Sequence, residues 1–167
     1  MKKSKMILIV FLIILIIVPV SAFFIADANR DAGKYVKLVT DIDLKGQNFM
    51  IESFAGTFDG AGHMIRSMTV NTTQYAGLFG YTSSATIKNV IIVNASVNAN
   101  NYAGGIVGYQ SGGTLDTCAN ANGGKVTTYT SGYPKYAYTG GIAGYTSTKI
   151  PAGIFTNAYI RLYNVNS

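Results

Sequence analysis

The residues able to do chemistry are few. Asp41, Asp43 and Asp59 are the carboxylates with the best claim to acid–base or metal work. Asp41 and Asp43 are two apart, so on a strand they share one face. Paired carboxylates on a sheet can bind calcium or act on a glycosidic bond. The plainer reading makes them exposed residues flanking buried Ile42 and Leu44. His63 is the single histidine, so neither a His-based metal cluster nor a Ser-His-Asp triad can be assembled. In Gly62-His63-Met64-Ile65 it reads as a turn histidine that bonds backbone. Cys118, the single cysteine, excludes an intramolecular disulfide framework and reads as a small buried hydrophobe. No glycine run is followed by Lys-Ser/Thr, so no phosphate loop exists. No catalytic residue, metal ligand or cofactor is assigned.

Tyrosine is the remaining signal. Of twelve, Tyr81, Tyr109 and Tyr145 recur at one place in a repeated phrase, and Tyr129, Tyr133, Tyr136 and Tyr138 cluster around Pro134. Stacked one turn apart, about 4.8 Å per rung, the first three would form a ladder on one flank. That ladder is either structural packing or an aromatic strip for sugar rings and partner proteins. Tyr81, Tyr109, Tyr145, Tyr133 and Tyr136 are therefore the candidate binding residues.

The elements that must position them come from the repeat. Tyr75-Ala76-Gly77-Leu78-Phe79-Gly80-Tyr81 returns as Ala103-Gly104-Gly105-Ile106-Val107-Gly108-Tyr109 and as Thr139-Gly140-Gly141-Ile142-Ala143-Gly144-Tyr145. The copies start near residues 75, 103 and 139. Gly77 to Gly105 is 28 residues and Gly105 to Gly141 is 36. An apolar residue follows seven positions past Gly80 and Gly108, at Ile87 and Leu115. A unit of this length cannot bury its apolar face alone and needs copies above and below it. The paired glycines (Gly77 and Gly80, Gly105 and Gly108, Gly141 and Gly144) require either positive φ at a corner or close backbone approach. No long apolar stripe at helical spacing follows residue 30. The expected fold is all-β, a right-handed parallel β-helix or β-solenoid over residues 35–167. A β-sandwich with similar hairpins is the alternative.

At these residues the chain resembles the GLUG-motif repeats, named for their Gly-Leu-aromatic-Gly signature. Gly77-Leu78-Phe79-Gly80 and its two echoes carry the likeness, with Ile87-Lys88-Asn89-Val90. Gly56-Thr57-Phe58-Asp59-Gly60-Ala61-Gly62-His63-Met64-Ile65 is similar to the lead-in found before such repeats, as is the segment from Tyr35 to Leu44. The resemblance spans roughly residues 34 to 160. It implies adhesin-like extracellular proteins with a parallel β-helix fold, and it implies no catalytic mechanism.

Composition agrees with a binding or structural class. Only 12% of residues are charged and 49% are apolar. The net charge of +6 overstates the basicity of the repeats. Without Lys2, Lys3 and Lys5, ten bases face seven acids, a net of +3, scattered singly along the sequence. No basic cluster of the nucleic-acid type exists. Residues 1–28 read as a signal peptide or an uncleaved anchor. A basic start precedes an apolar run from Met6 to Val18, then Pro19 and the small residues Val20-Ser21-Ala22, with Ala26-Asp27-Ala28 a second cleavage position. Uncleaved, residues 6–26 number 21, enough to span a bilayer. Either way the repeats lie outside, which makes this segment the sole expected membrane contact. Residues 29–34 form a linker. Strands are expected within Tyr35 to Leu44, at Phe49-Met50-Ile51 and at Val90 to Val93. A loop is expected from Thr127 to Tyr138, and a bulge around Pro151. The end near Ser167 shows no polar cap, which points to a fragment or to end-to-end association. Asn71-Thr72-Thr73 and Asn94-Ala95-Ser96 are glycosylation sequons.

The leading expectation is an exported, non-enzymatic surface protein that binds glycans or cell-surface proteins. A glycan-active β-helix enzyme using Asp41, Asp43 or Asp59 is the alternative, and a structural element of the cell envelope is a third.

Overall fold

The computed structural model describes residues 33–130, 137–147, 155, 156 and 159–164. The leader, Tyr133, Tyr136, Pro151 and Ser167 lie outside the described residues. Those described form an all-β structure whose ladders all run parallel. Four sheets are visited in the same order, turn after turn. The first face holds Tyr35–Lys37, Thr57–Asp59, Phe79–Lys88, Val107–Asp116 and Ala143–Thr146, with Ile51–Phe54 also paired to Phe79–Lys88. The second holds Ile42–Asp43, Met64–Arg66, Ile91–Val93, Ala119–Ala121 and Phe155–Thr156. The third holds Thr69–Asn71, Ser96–Ala99, Lys125–Thr130 and Tyr159–Asn164; the fourth holds Tyr75–Ala76, Tyr102–Gly104 and Tyr138–Gly140. The arrangement is compatible with a β-solenoid.

Register explains the repeat. Phe79 pairs with Val107 and Val107 with Ala143, so the spacings of 28 and 36 are successive turns of one sheet. Equivalent side chains then lie over one another. Phe58, Ile87 and Leu115 make one buried column, and Val70, Val97 and Val126 another. On the second face Val90 and Ile92 are buried while Ile91 and Val93 are half-buried, the alternation of a strand packed on one side. Cys118 follows in register with Val90 and is fully buried. Phe54, Phe58 and Phe79 close the upper core, with ring centroids 5.2–6.4 Å apart.

Of the two demands expected of the paired glycines, close approach is the one the structure makes. Gly80 and Gly108 lie inside the strands Phe79–Lys88 and Val107–Asp116, and Gly144 lies inside Ala143–Thr146. Their role is close approach and not positive φ. A Cβ on Gly108 would sit 2.7 Å from the Ala76 nitrogen and 2.7 Å from the Gly80 oxygen, so first and fourth faces touch backbone to backbone. The left-handed corners are made by other residues. Asn89 and Thr117 turn the chain from the first face to the second, and Ser67, Asn94 and Asn122 from the second to the third, all with φ between 49° and 55°. Asparagine tolerates that region because its short amide bonds locally.

Two further differences concern boundaries. The strand expected at Phe49-Met50-Ile51 begins only at Ile51 and runs to Phe54. The loop expected from Thr127 does not begin there, because Lys125–Thr130 is a strand paired to Ser96–Ala99. Threonine and tyrosine suit a pleated surface, and the neighbouring ladder decides the matter.

Candidate functional site

The tyrosines of the repeat form a wall where the fourth face meets the first. Tyr81, Tyr109 and Tyr145 are paired in register on the first face. Their rings stack, with centroids 5.7 Å apart for Tyr81–Tyr109 and 4.7 Å for Tyr109–Tyr145, and planes within 19°. A second column stands beside it on the fourth face, where Tyr75, Tyr102 and Tyr138 are also paired in register. Tyr102 and Tyr138 stack at 5.0 Å and 2°, and Tyr75 lies 5.4 Å from Tyr102. The columns interlock edge to face, Tyr102 against Tyr109 at 86° and Tyr138 against Tyr145 at 77°. Offset-stacked and edge-to-face pairs are the favoured aromatic arrangements, each adding about 0.5–1.5 kcal/mol beyond area burial.

Crowding marks the electrostatics of the wall. Burial among neighbouring rings raises the pKa of Tyr102 and of Tyr109, and charge on the adjacent phenols would raise both further. These phenols stay protonated at neutral pH and act as hydroxyl donors. The Tyr75 hydroxyl accepts a hydrogen bond from Gln74 Nε2 at 3.1 Å. Among the described residues no hydrogen-bond partner meets the hydroxyls of Tyr81, Tyr102, Tyr109, Tyr138 or Tyr145.

Reading the repeat finds the column of Tyr81 but not its neighbour. Tyr102 pairs with Tyr75, an offset of 27, whereas Val107 pairs with Phe79, an offset of 28. One extra residue, Gly104, enters between them. Aligning the copies on Gly77 and Gly105 therefore sets Tyr75 against Ala103 and hides the second column. The signal lies in Tyr75-Ala76-Gly77, Tyr102-Ala103-Gly104 and Tyr138-Thr139-Gly140, aligned on tyrosine.

The carboxylates are not brought together as a pair. Asp41 accepts bonds from the Met64 amide at 3.1 Å, Arg66 Nη2 at 3.0 Å and His63 Nδ1 at 3.3 Å. The Met64 amide bond, then the Arg66 guanidinium, hold its carboxyl below the ordinary range. The His63 side chain thus meets a carboxylate and not the backbone as expected, because Asp41 and the turn at His63 lie on adjacent rungs. Asp43 accepts from the Lys45 amide at 2.9 Å. Asp59, only 7% exposed, accepts from Tyr35 at 2.9 Å, the Ala61 amide at 2.9 Å and Asn89 Nδ2 at 3.0 Å, with Lys88 Nζ at 3.5 Å. Burial opposes its charge, yet bonds from Asn89, Ala61 and Tyr35 and the Lys88 ammonium outweigh burial and hold the carboxyl at about 2.

A recess of about 640 Å³ runs beside Asp59, lined also by Lys37, Asn89, Ile91 and Thr117. Its carboxylate is fully engaged by donors. Among the described residues no group of three His, Cys, Asp or Glu side chains could hold a metal ion. Burial pushes the Cys118 thiol up to about 11, which removes thiolate chemistry at neutral pH.

No family model matches the chain, and no solved structure matches it. It is similar to a segment of Halomucin from Haloquadratum walsbyi (strain DSM 16790 / HBSQ001), 42% identical over 64 residues. Those residues are 36% of this chain, and the match covers 1% of that much longer protein.

Proposed function

We propose that the chain is an exported, non-enzymatic, right-handed β-solenoid of the GLUG-repeat type. In this reading it binds glycans or proteins at a cell surface through its tyrosine wall. One observation carries it: six tyrosines, 27 to 36 residues apart within each column, come into two interlocked columns on one edge. Aromatic side chains bury large area at small entropic cost, which suits both kinds of ligand. Export is supported by the basic start and apolar run of residues 1–28, whether that segment is cleaved or retained as an anchor. The likeness to Halomucin supports an extracellular location. A binding role is favoured over catalysis because Asp41, Asp43 and Asp59 each serve a different corner of the fold.

The test is binding of the exported protein to whole cells and to a glycan array. Tyr109→Ala is expected to abolish it, and replacing Tyr133 and Tyr136 by Ser to weaken it. The Asp41→Asn, Asp43→Asn double variant is expected to bind as well as the parent. Loss of binding in the acid variant alone would overturn the reading.

A further inference from the structure

A platform of ring faces is one way such a wall could bind, but most of its faces are already used. Along Tyr81, Tyr109 and Tyr145 and between Tyr102 and Tyr138 the near-parallel rings turn their faces toward the neighbouring rung at 4.7 to 5.7 Å, while Tyr75 meets Tyr102 tilted by 37°. Across the columns an edge of one ring covers a face of the next. What such a stack offers to solvent is ring edges and their hydroxyls. A third column continues the pattern. Ser83 pairs with Ser111, and Ser147 follows Thr146, which pairs with Gln110. On each rung the serine stands two residues past Tyr81, Tyr109 or Tyr145, with Thr82 and Gln110 buried between. Tyrosine and serine therefore share the outer face. The result is a three-by-three array of hydroxyl side chains, Tyr75, Tyr102 and Tyr138, Tyr81, Tyr109 and Tyr145, and Ser83, Ser111 and Ser147.

None of the nine positions carries a charge. Glu52 stands one turn above Gly80 in register, beside the array and not in it. Ser147 Oγ accepts from the Gly112 amide at 2.8 Å, which fixes the lower corner of the array. The rungs repeat at about 4.8 Å, close to the advance of one sugar in an extended chain. Hydroxyls, as donors and acceptors at once, suit a ligand that is itself a lattice of hydroxyls.

We infer that the wall binds a neutral, extended polysaccharide laid along the stacking axis, held edge-on by this hydroxyl array and not by stacking on ring faces. The inference rests on the wall being the binding surface, as proposed above. The chemistry argues against an acidic polymer, since among the described residues no cation stands in the array to offset its charge.

Tyr→Phe separates the two modes, because it keeps the ring and removes the hydroxyl. The exported protein would be titrated with cellulose, mannan and chitin oligomers of increasing length, and with alginate and heparin. The parent is expected to bind at least one neutral series, with affinity rising up to about three or four sugars, the length of the wall. The triple variant Tyr81→Phe, Tyr109→Phe, Tyr145→Phe should lose about tenfold or more in affinity. Tyr109→Ala should lose at least as much, and Ser111→Ala, which leaves the stack intact, should lose several-fold. Binding by the triple Phe variant equal to the parent, with loss in Tyr109→Ala, would overturn the hydroxyl array and leave the binding wall standing. Preference for alginate or heparin would also overturn it. Failure of the parent to bind any polymer, with cell binding indifferent to Tyr109→Ala, would remove the wall itself.

Discussion

At one end of the first face Tyr81, Tyr109 and Tyr145 lie over one another, and at the other end Lys37, Asp59, Lys88 and Asp116 do. Both columns obey the same register, yet one repeats a residue and the other alternates in sign. Like rings attract when stacked, so the position can be copied unchanged from turn to turn. Like charges one rung apart repel, so a charged column survives only if acid and base take turns. Periodicity here preserves the place of a side chain, and physics decides whether its identity is preserved too. The charges that look scattered along the sequence are an ordered column once the turns are stacked.

The comparison can be broken at several points, the largest effects first. Gly108→Val forces a side chain into the backbone contact that brings the tyrosine columns together. A loss of about 2–3 kcal/mol is expected in denaturant melts, and a neutral result would mean the two faces are not in close contact. Asp59→Asn tests the charged column. Its folded carboxyl titrates near 2 against an ordinary 3.8, so its stabilisation is complete above pH about 4 and drains as pH falls toward 2. The variant should cost about 2 kcal/mol at pH 7 and only about 0.4 kcal/mol at pH 2; an equal cost at both pH values would remove the charge from the account.

Beneath the wall lies a buried amide whose two polar atoms have no partner among the described residues, on Gln110, beside Thr82 in register. Gln110→Met is expected to raise stability by about 1 kcal/mol in thermal melts. Destabilisation instead would show that the amide is satisfied. Asp116→Lys sets a third base in line with Lys88 and should cost about 0.5 kcal/mol or less, disappearing in 1 M salt. If it stabilises, alternation is not what orders that column.

Much of the architecture is legible in sequence, and the reason is visible in particular residues. Gly77 and Gly80 recur at the turn length, and Ile87 and Leu115 stand at matching distances behind them, so the register of the first face can be counted. The column of Tyr81, Tyr109 and Tyr145 follows from the same count. The column of Tyr75, Tyr102 and Tyr138 does not, because Gly104 shifts it by one. The partners of Asp59 lie 24 and 30 residues away at Tyr35 and Asn89, and only stacking brings them near. Left-handed corners at Asn89, Asn94 and Asn122 are legible in hindsight, since asparagine is the non-glycine residue best suited to them. Thr117 is not, because a β-branched residue is a poor choice for that backbone.

The offset between paired turns grows from 27 at Tyr75 and Tyr102 to 36 at Tyr102 and Tyr138, while the rings of Tyr102 and Tyr138 stay parallel within 2°. Nine further residues therefore enter the chain without moving the wall. Seven of them enter where the third face gives way to the fourth, since Ser96 and Lys125 are already offset by 29, and Thr128 and Thr139 are hydrogen-bonded to each other across that passage. Doubling a loop adds only about 0.6 kcal/mol of closure entropy. This edge can accept new sequence, whether by evolutionary drift or by grafting a foreign peptide, while the surface beside it keeps its shape.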